Sequence, residues 1–145
     1  MSVASLVCLL VLALFAQLAP STATSAWAYT TISPAQVQTM RENGTAGTII
    51  DVREYTEYCT GHIPCSVNQP WNSGYLLLHY PELDPQAPYI VVCARGNRSP
   101  AASAFLESQG FTKIYNMSGG MDSWQGETQL CGGVCPALYF PHIAT

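Results

Sequence analysis

Two apolar runs of strand length punctuate the chain, Thr48-Ile49-Ile50-Asp51-Val52 and Tyr89-Ile90-Val91-Val92, both rich in β-branched residues. Runs of this kind predict short strands buried inside a sheet. Helical spacing takes over around them. Ser33-Pro34-Ala35-Gln36 places Ser at a cap, Pro at the first helical position and Gln three residues after the cap, with Val37 and Met40 on one face. That capping-box pattern predicts a helix ending near Asn43-Gly44. A second helix is expected from about Glu54 to Cys59, a turn at Gly61-His62-Ile63-Pro64, and a brief extended piece from Ser66 to Gln69 closed by Pro70. Tyr75 to Tyr80 has local helical character, followed by a loop with Pro81, Pro85 and Pro88. Ser99-Pro100 repeats the Ser-Pro helix start, and Ala102, Phe105 and Leu106 give that helix an apolar face until Gly110 ends it. Lys113 to Asn116 reads as a last short strand, with Gly119-Gly120 as a turn and Met121 to Gln125 as a short helix. Strands alternating with helices at this spacing predict an α/β fold with a mainly parallel central sheet and helices on both faces.

The longest apolar stretch lies outside this pattern. Val3 to Ala19 is interrupted only by Ser5 and Gln17, and the first charged side chain of the chain is Arg41. Pro20 and a Ser/Thr/Ala stretch follow, ending in the small-x-small sequence Ala26-Trp27-Ala28. Residues 1–28 are therefore expected to be a signal peptide cleaved after Ala28, with Cys8 discarded in it; the alternative is an uncleaved membrane anchor. Residues 29–126 then form one domain, and 127–145 a Cys-containing C-terminal extension. The expected setting is exported, periplasmic or extracellular, with no stable membrane insertion after cleavage.

Composition narrows the partners. The 145 residues are 48% hydrophobic and 10% charged, which suits one domain with a substantial core. Five Lys and Arg against nine Asp and Glu leave a formal charge of -4, so no basic face is available for nucleic acid. Without Cys8, the cysteines are Cys59, Cys65, Cys93, Cys131 and Cys135. In an oxidising compartment four of five can pair, and one stays free. The local pairing, Cys59 with Cys65 and Cys131 with Cys135, is expected.

Cys93 is the natural odd one. The strand Tyr89 to Val92 delivers it to the carboxyl end of the sheet, where open α/β sheets place their sites, and a helix begins just beyond. Helix N-terminal N–H groups favour an anion, and Gly96 and Asn97 allow successive amides to curl into a cradle. Arg95 and Arg98 stand in the same stretch. This setting should lower the Cys93 pKa and hold the nucleophilic thiolate.

With these residues in view, the chain resembles the single-domain rhodaneses, sulfurtransferases of the thiosulfate type, from about Thr31 to Gln125. Asp51-Val52-Arg53-Glu54 with Glu57-Tyr58 and Gly61-His62-Ile63-Pro64 is similar to the family's first signature, Cys93-Ala94-Arg95-Gly96-Asn97-Arg98-Ser99 to its active loop, and Gly119-Gly120 with Trp124 and Gly126 to its closing signature. The resemblance implies a rhodanese-like three-layer α/β/α fold. It implies a Cys93 persulfide, with the loop amides and Arg98 binding the donor. The expected partners are a small anionic sulfur donor such as thiosulfate and a cyanide, thiol or protein sulfur acceptor; no metal or organic cofactor is needed. The related phosphatases and arsenate reductases have one more residue in the loop, whereas four separate Cys93 from Arg98 here. Family members that prefer thiosulfate often carry a basic residue directly after the cysteine, where this chain has Ala94 and moves the charge to Arg95. The Gly-Ala usual after the His-Ile-Pro turn is Cys65-Ser66.

Asp51 and Arg53 are candidate supporting residues, read first as an ion pair that holds the fold. His62 is expected to be a hydrogen bonder in its turn rather than a base, and Trp124 a packing residue. Tyr75, Tyr80 and Leu76-Leu77-Leu78 are assigned to the core, with a rim near the thiol as the alternative. Two other functions stand beside the enzyme: a carrier module holding sulfur, selenium or an oxyanion on the same loop, and a redox protein whose Cys131 and Cys135 form a dithiol that resolves the persulfide. A zinc site from the four cysteines is a further alternative, although their spacing matches no standard ligand pattern.

Overall fold

The computed structural model describes residues 29–135. The expected signal segment 1–28 and positions 136–145 of the extension lie outside the described residues. The elements run β1 (Thr30–Ile32), α1 (Pro34–Glu42), β2 (Thr48–Asp51), α2 (Tyr55–Cys59), β3 (Val67–Asn68), α3 (Tyr75–His79), β4 (Tyr89–Val92), α4 (Ser99–Ser108) and β5 (Ile114–Met117), with 3-10 turns at Tyr80–Glu82 and Gly120–Ser123. The five strands form one sheet in the order β1-β5-β4-β2-β3, and every neighbouring pair is parallel.

Side chains alternate across each strand, which divides the core into two layers. Tyr89, Val91 and Cys93 face one side with Ile50 and Val52, where Leu76 of α3 and Ala102 and Leu106 of α4 cover them. Ile90 and Val92 face the other with Ile49, where Val37 of α1, Ile63, Met117 and Trp124 pack. Full burial of one such aliphatic side chain contributes about 2 kcal/mol. The architecture is α/β/α. Among the described residues no helix is long and apolar enough to cross a membrane.

Local signals account for much of this. At α1 the Ser33 Oγ accepts from the Gln36 N–H at 3.2 Å, and the Gln36 side chain accepts from the Ser33 N–H at 2.8 Å. The second Ser-Pro start behaves differently. Arg98, with helical dihedrals, occupies the cap position of α4, so Ser99 is the first helical residue and its hydroxyl is free to turn inward. β1 falls outside the predicted elements because three residues are too few to show a period; it is an edge strand that takes its hydrogen bonds from β5. The last strand sits one residue later than expected, at Ile114–Met117.

The expected local disulfides are corrected. Cys59 pairs with Cys131 and Cys65 with Cys135, across 72 and 70 residues. The reason lies in the tail, which folds back on the turn after α2. His62 and Gln129 exchange two backbone hydrogen bonds of 3.0 and 2.8 Å, which sets Cys131 and Cys135 against Cys59 and Cys65. Both pairs have their Cα atoms about 5 Å apart, at 4.7 and 5.1 Å. Cys131 and Cys135 therefore form no dithiol with each other, and the same pairing takes all four thiols away from a zinc site.

Candidate active site

Register places the site. Asp51 at the end of β2 lies opposite Val92 at the end of β4, so Val52 and Cys93 leave the two strands side by side at the carboxyl edge. The chain leaves β2 toward β3 on one side and β4 toward β5 on the other, the switch point where a crevice opens. There a cavity of about 650 Å³ is lined by Arg53, Thr56, Glu57, Thr60, Cys93, Ala94, Arg95, Asn97, Arg98 and Asp122.

Cys93 forms the floor. It is the free cysteine among the described residues and is buried. The Gly96 N–H donates to its sulfur at 3.1 Å, and Ser99 Oγ lies 3.3 Å from it. Gly96 makes this approach with a φ of 83°, where a residue with a Cβ would be strained. The backbone before the loop is held from behind, because the Met121 N–H donates to the Cys93 carbonyl at 2.8 Å and the Asp122 N–H to that of Ala94 at 2.9 Å. Gly120 permits this contact: a Cβ there would stand 2.4 Å from the Cys93 carbonyl oxygen.

Burial pushes the Cys93 thiol up, and the Ser99 hydroxyl with the N–H groups of Ser99, Arg98 and Gly96 pulls it down; the balance lies below the ordinary cysteine range. Once the proton has left, Ser99 becomes the donor to the sulfur. In Ser99→Ala that bond is lost, so the rise of alkylation rate with pH should move to higher pH. At pH 7 iodoacetamide should react roughly threefold to tenfold more slowly, because less thiolate is present. A profile superimposable on the wild type would remove Ser99 from this role.

Arg95 and Arg98, which stand as positive charge beside Cys93 in the sequence, each have a carboxylate partner in the structure. Arg98 donates from both terminal nitrogens to the two carboxylate oxygens of Glu57, each at 2.7 Å. Arg95 pairs with Asp122 at 3.1 Å in an exposed contact. The Arg98 bonds hold the Glu57 carboxyl at about 2, so this pair stays ionised through neutral pH. Arg53 is buried against Asp51, at 2.7 Å from Nη2 to Oδ2, and also donates to the Gly61 carbonyl at 2.8 Å. The Asp51 carboxylate further accepts the Arg53 N–H at 3.0 Å, so this pair braces the turn beneath the cavity.

The remaining candidates lie apart from the sulfur. The His62 Nδ1 is 3.1 Å from the Tyr58 carbonyl, and its ring stacks on that of Tyr58 at 3.7 Å. Trp124 is buried in the second core layer and donates to the Glu127 carbonyl. Leu76 is buried, but Tyr75, Leu77 and Leu78 are exposed, and none of them or Tyr80 lines the cavity. Neither Cys131 nor Cys135 lines it. Glu57, Thr56, Thr60 and Asp122 are the residues that motif reading left without a role. Glu57 and Arg98 are 41 positions apart, and only the fold joins them.

Comparison with known proteins shows the family and the fold. Residues 33–127 match the family model described as a rhodanese-like domain. A thiosulfate sulfurtransferase GlpE from Ectopseudomonas mendocina is 37% identical over 94 residues, covering 65% of this chain and 83% of that protein. One from Pseudomonas fluorescens is 38% identical over the same length. Among solved structures, a rhodanese-related protein from Thermoplasma volcanium is similar with a TM-score of 0.62 and 38% identity, covering 70% of this chain and 99% of that one. A rhodanese-like domain protein from Staphylococcus aureus follows with a TM-score of 0.63 and 25% identity.

Proposed function

Because this chain belongs to the rhodanese-like family, and is a sulfurtransferase, we propose that it moves a sulfane sulfur from an anionic donor such as thiosulfate to a thiophilic acceptor through a persulfide on Cys93. The Cys93 thiolate attacks the outer sulfur of the donor. The sulfur–sulfur bond of thiosulfate breaks, its electron pair leaves with sulfite, and Cys93 carries the persulfide. Cyanide or a thiolate then takes the terminal sulfur, and the Cys93 thiolate returns. Gly96 N–H and the Ser99 hydroxyl stabilise negative charge on sulfur in both steps.

The observation that supports this reading is the Gly96 N–H directed at a free, buried Cys93 sulfur at the bottom of an open cavity. Four disulfide-bonded cysteines around one free thiol suit an oxidising compartment, and with residues 1–28 read as a signal the working place is proposed to be outside the cytoplasm. The test is the intact mass of the protein before thiosulfate, after millimolar thiosulfate, and after cyanide. One sulfur gained and then lost, with turnover continuing in excess cyanide, is the expected result. A single equivalent of thiocyanate and no more would make the protein a carrier instead.

A further inference from the structure

Three guanidinium groups line the cavity over Cys93, and each has a carboxylate partner. The pairs are unequal. Arg53 and Asp51 are buried and brace the backbone, while Arg95 and Asp122 are largely exposed, where an ion pair is weak and screened by salt. Glu57 and Arg98 lie between these extremes, partly buried, with two parallel bonds that fix both planes. Glu57 is further anchored because its carboxylate accepts the Glu54 N–H at 3.1 Å at the start of α2. The cavity thus carries three positive charges against Glu57, Asp122 and the Asp51 beneath Arg53. Among the described lining residues no guanidinium is left uncompensated, and the Gly96 N–H is committed to the one charge on the Cys93 sulfur.

We propose that Glu57 is the specificity-determining residue for the sulfur donor, and that by holding both terminal nitrogens of Arg98 it makes the cavity favour sulfane donors with a single negative charge over dianions. This rests on the sulfurtransferase reading and adds the charge class of its substrate. A donor with one charge, such as an alkane thiosulfonate, transfers its outer sulfur to the Cys93 thiolate and leaves as the sulfinate with the electron pair of the broken sulfur–sulfur bond. A dianion such as thiosulfate undergoes the same displacement, with sulfite leaving, but brings its second charge against the Glu57 carboxylate without a free cation to meet it.

The experiment compares ethanethiosulfonate with thiosulfate at equal ionic strength, cyanide being the acceptor, in the wild type, Glu57→Gln and Glu57→Asp. The wild type should favour the thiosulfonate in kcat/KM by about tenfold, the scale of one partly screened charge contact. Glu57→Gln should move that ratio toward thiosulfate by about tenfold, and Glu57→Asp should keep most of the wild-type ratio. Both donors are read on one preparation, so a partly unfolded variant lowers both rates and leaves the ratio intact. A wild-type ratio at or below one overturns the proposal without any variant, as does a ratio that Glu57→Gln leaves unchanged or that Gln and Asp shift equally. If the wild type gains no sulfur from either donor, the sulfurtransferase reading itself falls.

Discussion

Cys93→Ser should lose sulfur transfer by a factor on the order of 10⁴ or more while its fold stays intact. The serine hydroxyl fits the same buried position, but it stays protonated at neutral pH, and it offers neither a thiolate to attack nor a sulfur to carry. Stability should change by about 1 kcal/mol or less, since the substitution is nearly isosteric and the Gly96 N–H still has an acceptor. Thiosulfate:cyanide turnover and a thermal melt on the same preparation check both halves. Turnover within tenfold of the wild type, with the melt unchanged, would take Cys93 out of the mechanism and reopen the search among the other lining residues.

The second large effect concerns the two disulfides, and its form is non-additive. Either bridge alone closes a loop of about 70 residues, worth about 4 kcal/mol in unfolded-chain entropy. Once one is present, the other closes only the small ring through Cys59 to Cys65 and Cys131 to Cys135, about ten residues and about 2.5 kcal/mol. Cys59→Ser with Cys131→Ser, or Cys65→Ser with Cys135→Ser, should therefore each cost about 2.5 kcal/mol. All four substitutions together should cost about 6.5 kcal/mol, more than the two pairs of losses combined, and comparable with the whole stability of many small domains. Thermal unfolding without reductant reads this directly. Losses that simply add would show that the bridges act on separate parts of the chain, and a fourfold variant melting within a few degrees of the wild type would show that the tail contributes nothing.

How much of this was legible before the fold was known depends on the distance over which each contact acts. The α1 cap was readable because Ser33 and Gln36 are three residues apart and bond to each other. The loop from Cys93 to Ser99 was readable as an anion cradle for a similar reason: strand, glycine and helix start are contiguous. The paired role of Asp51 and Arg53 also lay within two positions. Ser99 marks the boundary. Its place beside a helix start was plain, yet whether it capped the helix or faced the sulfur depended on the dihedrals of Arg98.

Local sequence carries the alternation of strand and helix, the parallel sheet, and the loop that surrounds Cys93, because these follow from local periods and short-range hydrogen bonds. Tertiary structure decided the rest. The crossed disulfides depend on a tail that returns to pair with His62, and spacing along the chain carries no record of that return. The charge of the cavity depends on Glu57 reaching Arg98 and Asp122 reaching Arg95, contacts across 41 and 27 positions that exist only once β2 and β5 lie on either side of β4. Local sequence sets which groups are present; only packing sets which of them neutralise one another, since electrostatic pairing depends on distance in space.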